Sequence, residues 1–469
     1  MVGFHMRPSA SSVTRLTHLG QQLRDALPPG TQRDAVDRIA TTAHQPVRIA
    51  VVGRVSTGKS TLVNALLGRT IAATAAEDCT RYPTVYSYGA PEQAVAVSED
   101  GTRTPLPLEI ARSEPPPGTA RLEVNLQTEV LRRITLLDSP GLAGTATAAG
   151  AARAPGLIRD YEILLYLFRG ELRTDDTRVL DDQAEATRSL TEGALPTVGV
   201  LAHADNFGDG GWGDDDPLEL ARRSCVQRLD QAAGRFHKVV PVSALMAETV
   251  RSGGLTENDG RRLRRLRDID PMLLRFGAGA PEDDPTVLDD LTAKLTGYGL
   301  NHGRAHAAST HELSEWMLRR SGFDALLASF DGLRPMVEHL RLARALRSFE
   351  EVFSDPGTPI QAKALLEQEV LGPTGHIARE LRAYRLLAAD QPDHPCVALL
   401  RDLLSTSTGE ERLEIVRAQD PGGPDPVASC FRAASRFQSI SGLGGSSIER
   451  DAARVLSMSM FYLGESFRR

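Results

Sequence analysis

The chain has 469 residues, 41% of them hydrophobic, so it is long enough to bury a full core and to form two or three domains. Its formal net charge of −7 excludes a general attraction to nucleic acid or to acidic membranes, so such contacts would require a local patch. No run approaches the roughly 18 apolar residues of a membrane span, and the four cysteines lie far apart, which predicts a soluble, reduced, cytoplasmic protein.

Two short amphipathic helices are expected between residues 13 and 43, interrupted at Pro28-Pro29-Gly30. From residue 47, the short apolar runs VRIAVV, RRITLLD, EILLYLF and PTVGVLA each end in a loop, as buried strands of a mostly parallel sheet do. The segment AVAVSEDGTRTPL alternates and turns at Asp100-Gly101, which predicts a hairpin.

After about residue 250 the chain is rich in Leu, Ala, Arg and Glu and has helical periodicity. The strongest stretch, FDALLASFDGLRPMVEHLRLARALRSFEEVF, predicts one long helix or two helices joined near Pro335. The predicted fold class is therefore an α/β P-loop domain plus a large all-α helical bundle or stalk. We expect N-terminal helices in residues 1–45 that pack on the bundle, a nucleotide domain in 46–250 and the bundle in 251–469.

A phosphate-binding loop is predicted in GRVSTGKSTLVNALLG, because residues 53–60 fit the pattern G-x-x-x-x-G-K-S/T. Such a loop wraps a β-phosphate with backbone N–H groups, and the following helix directs its N-terminus at the phosphates. Lys59 is expected to reach the β and γ oxygens, and the Ser60 hydroxyl to bind Mg²⁺. The expected phosphate-binding residues of this segment are Gly53, Ser56, Thr57, Gly58, Lys59, Ser60 and Thr61.

Two further segments extend this site. In LLDSPGL, Asp138 is expected to hold Mg²⁺ through a water, and the Gly141 N–H to sense the γ-phosphate, a pattern that favours a GTPase over an ATPase. In CTRYP, Thr80 is expected to place its hydroxyl on Mg²⁺ and its carbonyl on the attacking water. Ser60, Thr80 and Asp138 are thus the predicted metal-binding residues.

The base-recognition element should read N/T-K-x-D, and GVLAHADNFG offers Ala202-His203-Ala204-Asp205 instead. Asp205 keeps the carboxylate that accepts both guanine N–H donors. His203 is also expected to bind guanine, but it replaces the usual lysine and weakens the guanine assignment. Ser243 and Ala244, in VVPVSALMAE, follow another apolar strand and are expected to brace the base.

Together these motifs resemble the bacterial dynamin-like GTPases, most of all the actinobacterial group that includes the mycobacterial isoniazid-inducible Ini proteins. The resemblance is specific over about residues 47–250, and SGFDALLASF resembles the start of the family's stalk. In that family the serine at the position of Ser56 helps to neutralise charge at the transferring phosphate, so Ser56 joins Lys59 and Thr80 as an expected catalytic residue. Val55 stands where eukaryotic members usually have a glutamine, so the water-orienting contribution of that residue is missing.

The resemblance implies an enzyme that binds and hydrolyses GTP with Mg²⁺ as cofactor and couples hydrolysis to dimerisation and to movement of a helical stalk. The implied partners are GTP and GDP, a second copy through the GTPase domain or a dynamin-like paralogue, and lipid as a peripheral contact. The implied location is the inner face of the cell membrane, and no nucleic-acid partner is expected.

Three alternatives stay open on the residues themselves. A regulatory switch GTPase would act through protein partners without deforming membranes. A ribosome-associated GTPase would need a basic RNA-binding domain, and the acidic balance argues against it. An ATPase remains compatible with Ala202-His203 in the base motif.

Overall fold

The computed structural model describes residues 11–72, 82–108, 116–140, 161–181, 196–213, 215–231, 235–420, 425–442 and 445–468. Within these residues one mixed sheet of nine strands lies in the N-terminal half, and helices make up most of the rest. The strands are β1 Val47–Gly53, β2 Thr84–Tyr88, β3 Gln93–Ser98, β4 Arg103–Leu106, β5 Thr119–Leu126, β6 Ile134–Asp138, β7 Ile163–Phe168, β8 Thr197–Ala202 and β9 Lys238–Val242.

The sheet has the order β4-β3-β5-β2-β6-β1-β7-β8-β9. The five strands β6, β1, β7, β8 and β9 lie side by side in that order and are all parallel. Their carboxyl ends therefore meet at one edge of the sheet. The other half is mixed, because β2 runs antiparallel to β6 and β3 pairs antiparallel with both β4 and β5. The expected hairpin is confirmed as β3–β4. The expected mostly parallel sheet is confirmed as well, since five of the eight pairings between the described strands, including β2 with β5, are parallel. Strands β2 and β5 were not anticipated.

The described helices fall into an N-terminal pair, a set around the sheet and a C-terminal set. They are α1 Ser12–Asp25, α2 Thr31–Thr41, α3 Lys59–Leu67, α4 Pro217–Gln231, α5 Ala244–Arg251, α6 Glu257–Arg265, α7 Pro271–Arg275, α8 Val287–Gly303, α9 Thr310–Arg320, α10 Phe323–Phe353, α11 Ile360–Leu371, α12 Pro373–Asp390, α13 Pro395–Leu404, α14 Gly409–Gln419, α15 Pro426–Gly442 and α16 Ser447–Phe467. None of these helices is long and apolar enough to span a membrane.

Side chains alternate along the central strands, so the sheet carries an apolar layer on each face. Ile49 and Val51 of β1 lie in the layer formed with α3, α5 and the first half of α10. Ala50 and Val52 lie in the opposite layer, formed with α4 and with α6 to α9. Residues 257–320 therefore pack on the sheet. The domain division at residue 250 stays a prediction, and this packing favours a boundary near the start of α10.

Helix α10 joins the sheet to the helical region. It is one continuous helix with Pro335 inside it, about 46 Å long at 1.5 Å per residue. Its first half packs on the sheet, and its second half forms a separate apolar cluster with α1, α2, α11 and α12. A further cluster, formed by α12 to α16, completes the helical region.

A buried ion pair fixes α10 to the sheet. The Arg341 guanidinium donates to both oxygens of Glu162, with Nε–Oε1 and Nη2–Oε2 distances of 2.6 and 2.7 Å. Glu162 also accepts the backbone N–H of Arg48 in β1 at 3.0 Å. Arg341 further donates to the carbonyls of Ala43, Gln45 and Pro46. The guanidinium thereby joins the end of the N-terminal helices, the start of β1, the start of β7 and α10.

Candidate nucleotide-binding site

The predicted phosphate-binding loop lies between β1 and α3. Gly53 ends β1, where a Cβ atom would lie 2.5 Å from the carbonyl oxygen of Leu167 in the neighbouring strand β7. Gly58 has φ 87° and immediately precedes α3. Both positions therefore require glycine, one for space and one for backbone conformation, which is why this part of the motif is readable from the sequence.

The loop is held by its own side chains. The Thr57 hydroxyl and the Lys59 ammonium both donate to the carbonyl of Arg54, at 2.8 and 2.9 Å. Ser56 adopts φ 63°, a left-handed conformation that is uncommon outside glycine. Lys59 and Thr57 are buried, and Thr61 lies half-buried in the first turn of α3.

Ser60 and Asp138 are brought together by the pairing of β1 with β6. Val51 of β1 lies opposite Asp138 at the carboxyl end of β6. The Ser60 hydroxyl donates to Asp138 Oδ2 at 3.1 Å, and Asp138 is 1% exposed. The next residue, Ser139, donates its hydroxyl to the carbonyl of Val51 at 2.8 Å and fixes the chain as it leaves β6.

These two side chains fit a magnesium site. Mg²⁺ prefers hard oxygen ligands, and a hydroxyl and a carboxylate at the mouth of a phosphate loop are of that kind. No group of three or more His, Cys, Asp or Glu side chains suited to a metal occurs among the described residues. A magnesium ion held by one hydroxyl, by phosphate oxygens and by waters requires no such group.

Thr80 and Gly141 lie outside the described residues. The chain that leads toward Thr80 is nevertheless anchored by Asn64, a buried residue of α3 that sequence reasoning missed. Asn64 Oδ1 accepts the N–H groups of Ile71 and Ala72, at 2.9 and 2.7 Å. Its Nδ2 donates to Glu248 in α5 at 2.7 Å. A long-range amide of this kind carries no sequence signal, since its partners are set by the fold.

The base motif begins where β8 ends. His203 has φ 55°, and a Cβ atom on Gly58 would lie 3.7 Å from His203 Nε2, so the base motif lies against the phosphate loop. Burial and the nearby charge of Arg169 lower the pKa of His203, and it is therefore neutral near pH 7. Asp205 is 3% exposed and lies two residues further on, in a short 3₁₀ helix.

Arg169 is a second residue that sequence reasoning missed. It follows β7 directly, and Phe168 of β7 lies opposite Leu201 of β8, so Arg169 lies beside the base motif. Its Nη2 contacts His203 Nε2. The position was readable as a charged residue at the end of a buried strand, but no known motif includes it.

Ser243 and Ala244 lie where β9 leads into α5. The Ser243 N–H donates to the carbonyl of Ser321 at 2.8 Å, which joins this motif to the turn before α10. In that turn Gly322 has φ 76°, and a Cβ atom there would collide with the carbonyl of Pro241. The Ser243 hydroxyl is fully buried and has no hydrogen-bond partner among the described residues.

Comparison with known proteins agrees with this geometry. Residues 49–202 match the model of the dynamin family. The match covers about a third of the chain, which is therefore similar to the dynamin family over these residues. They include β1, the phosphate loop, Asp138 and the start of the base motif, so the resemblance drawn from the motifs is confirmed.

Two curated bacterial proteins are also similar to this chain. The chain is 29% identical over 304 residues to the isoniazid-induced protein IniC of Mycobacterium tuberculosis, in strains CDC 1551 / Oshkosh and ATCC 25618 / H37Rv. The alignment covers 60% of this chain, and the chain spans about 60% of the length of these relatives.

Two solved structures of an oligomerised bacterial dynamin pair, described as sensing and tethering membranes at long range, are also similar. They share 14% identity, with TM-scores of 0.36 and 0.37. The matches cover 97% and 87% of this chain and 79% and 77% of those chains.

Proposed function

We propose that this protein is a dynamin-like GTPase that binds and hydrolyses GTP with Mg²⁺. The observation that carries the proposal is the contact between Ser60 and Asp138, 3.1 Å apart at the start of α3. A phosphate loop alone serves many nucleotide-binding proteins. A loop serine that meets the aspartate of a D-x-P-G segment, within residues that match the dynamin family, supports the GTPase reading.

The proposed roles follow from position. Backbone N–H groups of residues 53–61 and the Lys59 ammonium bind the β- and γ-phosphates at the N-terminus of α3. Ser60, Asp138 and Thr80 hold Mg²⁺, which neutralises charge that develops on the phosphates. Ser56, with Lys59, stabilises the transferring phosphate, Gly141 senses the γ-phosphate, and Thr80 orients the attacking water.

Guanine is the proposed base. The buried carboxylate of Asp205 offers two acceptors, which match the two N–H donors on one edge of guanine. Ser243 and Ala244 close the base pocket from the end of β9. Adenine presents an acceptor at the ring nitrogen where guanine presents a donor, so a carboxylate at this position opposes ATP.

Coupling to the helical region is proposed to run through the turn at Ser321-Gly322. This turn is hydrogen-bonded to Ser243 at the base end of the site and leads directly into α10. A displacement of the β9–α5 junction on nucleotide binding would therefore act on the first turn of the long helix. Arg341 and Glu162 form the second attachment of the same helix to the sheet.

We further propose that the enzyme dimerises through its GTPase domain or pairs with a dynamin-like paralogue, and that it acts as a peripheral protein at the inner face of the cell membrane. The match of residues 49–202 to the dynamin family supports this. A switch GTPase that acts through protein partners is the second candidate.

The test is nucleotide turnover. Phosphate release from GTP and from ATP is measured with Mg²⁺ and with EDTA, with and without vesicles that contain anionic lipid. Mg²⁺-dependent release from GTP in preference to ATP is expected. A higher rate of GTP hydrolysis with vesicles would support the membrane-acting enzyme. A rate that is the same with and without vesicles would favour the switch GTPase. Equal turnover of ATP, or no turnover of either, would contradict the proposal.

A further inference from the structure

The base motif lacks its cation, since His203 stands at the position of the lysine and is neutral near pH 7. The imidazole also lies against the phosphate loop, where a Cβ atom on Gly58 would come within 3.7 Å of its Nε2. His203 and Ser56 both have left-handed backbone conformations, with φ 55° and 63°. Such strain persists where the surroundings enforce it, and it concentrates at functional sites. His203 therefore connects the base motif to the phosphate loop and leaves the cationic role unfilled.

A cation is nevertheless present at this place. The guanidinium of Arg169 contacts His203 Nε2, and a Cβ atom on Gly58 would lie 3.7 Å from that same nitrogen. Arg169 thus lies beside both the loop and the base motif. Its side chain is exposed, and within the described part of the chain it forms no ion pair with a carboxylate.

The charges of Arg169 and Asp205 interact with each other. Partial burial lowers the pKa of Arg169, and the negative charge of Asp205 acts in the opposite direction. Asp205 also acts on His203 in the same sense. A guanidinium stays charged under all ordinary conditions. The edge of the pocket that would read the base therefore has one carboxylate and one planar cation.

We propose that Arg169 is a nucleotide-binding residue whose guanidinium covers one face of the purine, in place of the lysine missing from the base motif. Arginine stacks on aromatic faces more readily than lysine, because its guanidinium is planar and weakly hydrated. In this arrangement Asp205 reads the edge of the base, Arg169 covers its face, and His203 fixes both to the phosphate loop. The inference rests on the proposed nucleotide-binding function.

The first test compares Arg169→Gln with the wild-type chain in calorimetric binding of GTP, GDP, ITP and tripolyphosphate. We expect about tenfold weaker binding of the three nucleotides, by a similar factor for each, because face stacking does not depend on the edge groups. Tripolyphosphate, which has no base, should bind with unchanged affinity. Arg173→Gln, an exposed arginine four residues further on, is the matched control and should bind all four ligands as the wild type does.

An unchanged affinity of Arg169→Gln for GTP would overturn the inference while leaving the proposed function intact. An equal loss for tripolyphosphate would also overturn it, since Arg169 would then contact phosphate. A wild-type chain that binds no nucleotide would overturn both proposals together. Since Arg169 is exposed, the variant should retain the wild-type circular dichroism and melting temperature.

The second test restores the missing lysine. In His203→Lys the motif regains its own cation, so adding Arg169→Gln should cost less than about threefold in GTP affinity, against about tenfold in the wild-type background. A merely structural Arg169 would cost the same in both backgrounds. Equal losses in the two backgrounds would therefore contradict the claim that Arg169 replaces the lysine.

Discussion

The two ends of the nucleotide site are built differently. At the phosphate end, residue types are fixed by backbone demands, as Gly53 and Gly58 show, and the contacts join the phosphate loop and α3 to β6 and β7. At the base end the usual lysine is gone, and the contacts join β7, β8 and the phosphate loop through Arg169 and His203. Where the backbone must come close to a phosphate, few residue types fit. A positive charge beside a base can instead come from a side chain on any of several neighbouring strands.

The largest effect on stability is expected at the buried Arg341–Glu162 pair, which joins α10 to the strands β1 and β7 that lead into the two ends of the site. Arg341→Met removes one member of a buried ion pair and leaves the Glu162 charge uncompensated, which should lower the free energy of unfolding by about 3–5 kcal/mol. Chemical denaturation measures this. Arg334→Met, on the exposed side of the same helix, is the control and should cost less than about 1 kcal/mol. Similar costs for both variants would show that the pair is not a structural anchor.

Lys59→Ala tests the phosphate end alone. The ammonium is expected to place a formal positive charge on the β- and γ-phosphates, so its loss should weaken GTP and GDP binding by about 100-fold or more. Tripolyphosphate should be affected in the same way, because the interaction does not involve the base. Calorimetric titration provides the measurement. Normal affinity for GTP in this variant would remove the phosphate-loop assignment.

Asp205→Asn tests the base end alone. An amide can accept one guanine N–H but also presents a donor, so GTP affinity should fall about tenfold or more while tripolyphosphate affinity stays constant. Xanthosine triphosphate, whose carbonyl replaces the guanine amino group, should gain affinity in the variant. Competition with labelled GTP measures both changes. If xanthosine and guanosine triphosphates keep their wild-type ranking, the base is read by another residue.

The smallest effect concerns pH. Because the pKa of His203 is lowered below its ordinary value, the imidazole is neutral from about pH 6.5 upward. GTP affinity should therefore change little between pH 6.5 and 8, and His203→Asn should not alter that flat profile. Below about pH 6.5 the unfolded chain binds a proton that the folded chain excludes, so the contribution of His203 to stability declines as pH falls. A GTP affinity that rises steeply toward pH 6.5 would indicate a charged His203.

Much of the sheet domain could be predicted, because apolar runs and glycine-rich turns are local signals. The hairpin at Asp100-Gly101 and strands β1, β6, β7 and β8 were identified in this way. Strand β2 was missed because it has only five residues, several of them polar. Strand β5 has eight residues and alternates apolar Leu122, Val124 and Leu126 with polar ones, a strand pattern that was overlooked. The sequence could not choose one helix through Pro335 over a pair, because the packing on both sides of the proline comes from distant parts of the chain.

The part of the site that depends on local motifs was also predictable. The proximity of Ser60 to Asp138 follows from two motifs at the ends of adjacent parallel strands. Arg169, Asn64 and Arg341 were not predictable, because each acts through partners that lie far away in the sequence. The packing of residues 257–320 on the sheet was missed for a related reason, since amphipathic helices reveal that they have a buried face but not which surface covers it.

The central claim is that this chain turns over GTP through the site around Lys59 and Ser60. The most direct test is phosphate release from GTP with Mg²⁺, measured at rising protein concentration alongside Lys59→Ala. The account predicts release that depends on Mg²⁺, rises more steeply than in proportion to protein concentration as dimers form, and is absent from the variant. Release that equals the variant's background at every concentration would contradict it.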